Sequence, residues 1–144
     1  MNKELLLFTF LSVAKELHKQ AFGLVEEIGV HHGQPRLVNL LREKDGRSLS
    51  EIAGLLHSET ATISKMVKRM EHAGYLVRRS DPNDNRVTRI FLSASGRALG
   101  DKIDKLHQKM NDLLCAPLSN EEEKTLHTIL KKIQAAIQED EKQS

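Results

Sequence analysis

Tryptophan is absent from this 144-residue chain, tyrosine occurs once and phenylalanine four times. A core so poor in aromatics must be filled by Leu, Ile, Val, Met and Ala, which favours helix packing over a β-sandwich. The lone cysteine, Cys115, excludes an internal disulfide and points to a reducing compartment, by default the cytoplasm. No run of about 18 uncharged apolar residues exists, which excludes a membrane-spanning helix. The apolar start from Leu5 to Val13 lacks a small-residue cleavage site and continues amphipathically past Lys15, Glu16 and Lys19, so it reads as a helix of the folded protein rather than a signal peptide. Gly-rich phosphate loops, nucleophile elbows and zincin motifs are missing too, and no catalytic residue or cofactor is expected.

A large net charge is also lacking: 22 basic side chains face 20 acidic ones. The distribution is uneven. Residues 1–46 hold six basic and six acidic side chains, residues 47–97 nine and five, and residues 98–144 seven and nine. A basic middle between neutral and acidic flanks suggests a polyanion-binding surface set in a scaffold.

The flanks are amphipathic helices. Leu6, Phe10, Val13, Leu17, Ala21, Leu24 and Ile28 recur at steps of three and four, and so do Leu99, Ile103, Leu106, Met110 and Leu113. Ser119 and Glu122 form a capping box that opens a third such helix with Leu126, Ile129, Leu130, Ile133 and Ile137. Similar seams at both ends favour a symmetric homodimer. Its expected interface is Leu6, Phe10, Val13, Leu17, Leu106, Met110, Leu113, Leu126, Leu130 and Ile133.

In the middle, Gln34-Pro35 starts a short helix that Gly46 ends, and Ser48 with Glu51 boxes the next. After a turn at His57, Ser58 is expected to cap a helix whose inward positions are Ile63, Met66, Val67 and Met70. Two short helices joined by a tight turn make a helix-turn-helix. The second turns Ala61, Ser64, Lys65 and Lys68 outward with Thr62 and Arg69 on the flanks, and no acid falls between Glu59 and Glu71. Small hydroxyl residues let such a helix sit deep against base edges while Lys and Arg reach bases or phosphates, so Ser58, Thr60, Ala61, Thr62, Ser64, Lys65, Lys68 and Arg69 are the candidate DNA readers. Tyr75–Arg79 and Val87–Leu92 read as a two-stranded hairpin with a turn-rich tip, a wing carrying Arg78, Arg79, Arg86 and Arg89. An arginine at that tip suits a narrow minor groove, and Asp84 is placed to orient it by bidentate pairing.

The run Asp81-Pro82-Asn83-Asp84-Asn85-Arg86-Val87-Thr88-Arg89, followed by Leu92-Ser93-Ala94-Ser95-Gly96, resembles the D-x-R-x-x-R wing and L-[ST]-x-x-G helix start of the MarR family of winged helix-turn-helix regulators. Ser48-x-x-Glu51-Ile52-Ala53 and Gly74-Tyr75-Leu76-Val77-Arg78-Arg79 are similar to the family's sequences on either side of the reading helix. The resemblance implies a mainly α fold with a small β-hairpin wing. It divides one integrated domain into an N-terminal dimerisation helix (1–32), a winged helix-turn-helix (33–97) and C-terminal dimerisation helices (98–144). It further implies a homodimer joined through its first, fifth and sixth helices, a pseudo-palindromic double-stranded operator as partner, and repression as the usual outcome. On this basis Arg86 is the minor-groove arginine, Asp84 its orienting partner, and the face from Thr60 to Lys68 the major-groove reader. Asn85 stands where many relatives carry a further basic residue.

Many relatives release DNA on binding an aromatic anion, and Phe22, His31, His32 and Arg36 are the candidate lining of such an effector pocket. Cys115 reads as a small buried filler rather than a redox sensor, since no basic residue adjoins it in sequence. The scattered histidines give no metal site by spacing, although a folded set such as Glu27, His31 and His107 stays open. The alternatives are a winged-helix module for protein contacts and a metal-responsive regulator of the same fold.

Overall fold

The computed structural model describes residues 5–31 and 33–143. Among them lie six helices, α1 (Leu6–Glu27), α2 (Gln34–Glu43), α3 (Leu49–Leu55), α4 (Thr60–His72), α5 (Ala94–Cys115) and α6 (Asn120–Gln143), and three strands, β1 (Arg47–Ser48), β2 (Leu76–Ser80) and β3 (Thr88–Leu92). The chain divides into two compact units at Gln108/Lys109, within α5. None of the described helices is long and apolar enough to cross a membrane.

The core of the first unit is built where the helical periodicity places it. Leu37, Val38 and Leu41 of α2, Ile52 of α3, and Ile63, Val67 and Met70 of α4 are essentially solvent-free, and they meet Ile90 of β3 and Ile103 of α5 in one cluster. Full burial of each such side chain is worth about 1.5–3 kcal/mol. Met66, expected inward with its neighbours, is half-buried at the cluster's edge. Pro35 sits in the first turn of α2, where its missing N–H costs nothing.

Three sequence expectations are corrected here. The sheet has three antiparallel strands in the order β1-β3-β2 rather than two, because Arg47 and Ser48 pair with Ile90 and Arg89. A two-residue strand is too short to leave an alternation in the sequence. Gly46 does not end α2, which stops at Glu43; with φ of 72° it forms the turn into β1 and donates its N–H to the Ile90 carbonyl at 3.0 Å. Ser58 does not cap α4. The N-cap is Glu59, without a side-chain bond, and the Ser58 hydroxyl donates back to the Leu56 carbonyl at 3.3 Å. The turn before it is made by His57 in the left-handed region, φ 51°.

The capping boxes behave differently. Ser48 caps α3 by accepting from the Glu51 N–H at 3.2 Å, while the Glu51 carboxylate lies 3.7 Å from Arg89. In the second unit the box is reciprocal: the Glu122 N–H donates to Ser119 Oγ at 3.2 Å and the Ser119 N–H to Glu122 Oε2 at 2.8 Å. That unit is the end of α5 followed by α6, with Leu114, Leu126 and Leu130 only half-buried.

Candidate nucleic-acid interface

α4 turns one face into the core and the opposite face to solvent. Thr60, Ala61, Thr62, Lys65, Lys68 and Arg69 are exposed and Ser64 is half-buried, as the 100° periodicity requires. Ser58, in the preceding turn, is exposed as well. Among the described residues no carboxylate forms an ion pair with Lys65, Lys68 or Arg69. The α4 cations therefore stand unneutralised beside small hydroxyl side chains.

β2 and β3 pair from Leu76↔Leu92 to Ser80↔Thr88, and residues 81–87 close the wing. Its tip is held by local bonds. The Asp81 N–H donates to the Val87 carbonyl at 2.9 Å, the Val87 N–H to the Asp84 carbonyl at 2.9 Å, and Asp81 Oδ1 accepts the Asn83 N–H at 2.7 Å. Arg86 points outward with its side chain 91% exposed, while its Nε and Nη2 donate to the two oxygens of Asp84 at 3.0 and 3.3 Å. The carboxylate fixes the plane of the guanidinium and leaves its outer edge free.

The wing arginines do not act alike, which revises their common grouping. Arg89 is turned into the fold: its Nε donates to Asp81 Oδ2 at 2.5 Å and its Nη1 to the Gly46 carbonyl at 2.9 Å. Arg78 is likewise engaged, Nε to Glu71 Oε2 at 2.7 Å, tying β2 to the last turns of α4. Arg79 is exposed and stacks over the Phe91 ring, 5.1 Å from its centroid. Arg79 and Arg86 are thus the solvent-facing pair, whereas Arg78 and Arg89 fasten the wing to its base. The D-x-R-x-x-R spacing does not reveal this difference, because the partners of Arg89 lie up to 43 residues away.

The Asn83 amide and the Arg89 guanidinium hold the Asp81 carboxyl below its ordinary value of 3.8. Arg86 does the same to Asp84. Folded values below the unfolded ones mean that the bonds contribute fully above about pH 3.8 and weaken only as acid takes the pH below it. Amide exchange of Asn83 is accordingly expected to stay slow between pH 8 and 4 once corrected for intrinsic rate, and its protection to be lost in Asp81→Ala at every pH. Protection that fades between pH 7 and 5 would contradict the latch.

The expected effector residues are not brought together. His31 lines a crevice of about 360 Å³ with Gln34, Thr62, Lys65, Met66 and Arg69. Phe22 and Arg36 are exposed elsewhere on α1 and α2, and His32 lies outside the described residues. Lys65 and Arg69 of α4 form one wall of this crevice, a meeting of α2 and α4 that helical spacing within α4 does not reveal. A buried amide, Gln34, accepts the His31 N–H at 3.1 Å and shapes the floor. Among the described residues no group of three His, Cys, Asp or Glu side chains is arranged to hold a metal ion. Cys115 is half-buried rather than buried, and burial together with nearby Glu123 pushes its thiol up, away from the reactive thiolate.

Of the expected interface residues, Leu6, Phe10, Val13, Leu113 and Ile133 are exposed and Leu17, Met110, Leu126 and Leu130 half-buried. Leu106 differs: it is 7% exposed within the single chain, so it has little surface left to offer a second copy.

The model of the MarR family matches residues 31–88, from the start of the helix-turn-helix region through the wing tip. An uncharacterized HTH-type transcriptional regulator of Bacillus subtilis, YdgJ, is 26% identical over 94% of this chain and 88% of its own length. Wild-type MarR from E. coli in its apo form shares the fold at a TM-score of 0.79 and 20% identity, covering 92% of this chain and 98% of that one. The transcriptional repressor CouR, solved bound to a 23-mer DNA duplex, does so at 0.77 and 24%, covering 90% and 92%. The wing fork, the helix-turn-helix and these likenesses agree on a winged helix-turn-helix fold, similar over residues 31–88 to the MarR family of regulators.

Proposed function

We propose that two copies of this chain form a homodimer that binds a pseudo-palindromic double-stranded operator and represses transcription from it. In this reading α4 enters the major groove with Thr60, Ala61, Thr62, Ser64, Lys65, Lys68 and Arg69, while Arg86, oriented by Asp84, enters the flanking minor groove. The observation that carries it is the unneutralised outer face of α4 in the same unit as an exposed, carboxylate-planed arginine. CouR, which shares the fold, was captured on DNA, which supports the same use of this surface.

Dimerisation is supported by helices that have no core of their own. α1 and α6, 22 and 24 residues long, bury none of their residues, and Leu6, Phe10, Val13, Ile129, Ile133 and Ile137 are all at least 46% exposed. Long apolar stripes left in water call for a partner surface. Dimerisation through α1, α5 and α6, with residues 33–97 as the DNA-binding region, is the division of labour this favours. The crevice lined by His31, Lys65 and Arg69 suits a small aromatic anion. An occupant there would sit against residues assigned to the operator, which gives a direct route to release.

Selection of duplexes from a randomised pool, followed by fluorescence anisotropy, tests this. The selected duplex should be an inverted repeat bound about a thousandfold or more tighter than random DNA at the same salt. Light scattering should give twice the subunit mass. Lys65→Ala should weaken specific binding several-fold without shifting the melting temperature, because its side chain faces away from the core. Equal, feeble binding to all duplexes would instead favour a protein-contact module.

A further inference from the structure

The end of α2 is fastened to α5 by one side chain. Arg42, in the last turn of α2, directs its Nη1 to the Gly100 carbonyl at 3.1 Å and to Asp104 Oδ2 at 2.7 Å, and its Nη2 to Asp101 Oδ1 at 3.5 Å. Three acceptors from little more than one turn of α5 converge on a single guanidinium. Gly100 makes the approach possible: it is buried, and a Cβ there would stand 2.6 Å from Arg42 Cδ and 3.0 Å from its Nε. The stem of Arg42 occupies the space that any other residue at 100 would fill.

Fold stability gives this arrangement little reason to exist. The carboxylates of Asp101 and Asp104 are 74% and 56% exposed, and solvent-screened pairs of that kind stabilise a fold weakly. Its geometric consequence is larger. On one side, α2 contributes Leu37, Val38 and Leu41 to the same buried cluster as Ile63, Val67 and Met70 of the reading helix α4. On the other side, α5 continues without a break to Met110 and Leu113, residues of the proposed dimer seam.

We propose that Arg42, seated in the Gly100 notch and held by Asp101 and Asp104, is a positioning residue that fixes the reading helix against α5 and thereby sets the operator half-site spacing the dimer accepts. It rests on the operator reading above and adds to it a determinant of specificity that touches no DNA. A fork held by three acceptors resists rotation better than a lysine with one point of attachment. Loosening it should leave each reading helix intact while blurring the distance between the two.

The test uses the full-length protein and the duplex it selects from a randomised pool, remade as a series in which the spacer between half-sites grows or shrinks by single base pairs, with an isolated half-site as control. Wild type should show one optimum, with binding roughly tenfold weaker one base pair away. Arg42→Ala and Gly100→Ala should flatten that optimum to within about threefold while keeping wild-type affinity for the isolated half-site, and Arg42→Lys should fall between. Gly100→Ala is the sharper variant. It replaces a helical glycine by a better helix former and meets only a flexible side chain, so its melting temperature should hold or rise while spacing selectivity is lost. An unchanged optimum in both variants overturns the proposal, as does a loss that appears equally on the isolated half-site. If wild type selects no sequence at all, the operator reading itself fails and this inference falls with it.

Discussion

Replacing Arg86 by alanine is expected to weaken operator binding by about tenfold for each wing engaged, hence roughly a hundredfold for a dimer using both. The slope of log affinity against log salt should fall by about one contact per wing. The side chain is 91% exposed and bonds only to Asp84 at the wing tip, so thermal stability should be unchanged. Asp84→Ala separates orientation from charge: it leaves the guanidinium in place but removes the carboxylate that planes it, and a several-fold loss is expected. Loss of the same size in Arg89→Ala must be read differently. That residue bonds Asp81 and the Gly46 carbonyl, so its removal should expose the wing amides to exchange before it touches DNA binding. An Arg86→Ala isotherm superimposable on wild type would remove the wing from the interface.

The largest stability effect is expected at Gly96. Ser93 starts α5 by accepting the Gly96 N–H at 3.0 Å, donates its hydroxyl to the Gly74 carbonyl at 2.5 Å, and gives its own N–H to the Tyr75 carbonyl at 3.0 Å. These bonds draw the first turn of α5 onto the strand start so closely that a Cβ on residue 96 would overlap the Tyr75 carbonyl oxygen. A backbone oxygen already engaged by Ser93 cannot swing aside as a side-chain tip can. Gly96→Ala should therefore destabilise by about 3 kcal/mol, lowering the melting temperature by roughly ten degrees. Gly100→Ala, one turn later and facing only Arg42, should not. Two substitutions of identical chemistry with opposite outcomes make a stringent check, and equal melting temperatures would contradict the packing at the helix start.

What could be read from the sequence was what repeats over short distances. The outward face of α4 followed from spacing alone, because a helix repeats every 3.6 residues and Ile63, Val67 and Met70 had to go inward. The Asp84–Arg86 fork was legible because its partners are two residues apart, and the Ser119–Glu122 box because its bonds span three. What stayed hidden depends on chain segments meeting from afar. The strand Arg47–Ser48 exists only through its pairing with β3, and Arg42 meets its carboxylates across 59 and 62 residues. The roles of Arg78 and Arg89 were hidden for the same reason: a sequence shows the charge of an arginine but not which carboxylate it has found. Phe22, His31 and Arg36 share the α1–α2 junction in the sequence, whereas the crevice that His31 lines joins the start of α2 to the side of α4.

Hydroxyl-radical and methylation footprinting of the selected duplex tests the central claim most directly, since it reads both elements and both copies at once. Protection of two major-groove segments about one helical turn apart, or a multiple of it, is predicted, with minor-groove protection beyond each that vanishes in Arg86→Ala. Cleavage that stays uniform along the duplex at saturating protein, or protection of a single segment by a lone subunit, would contradict it.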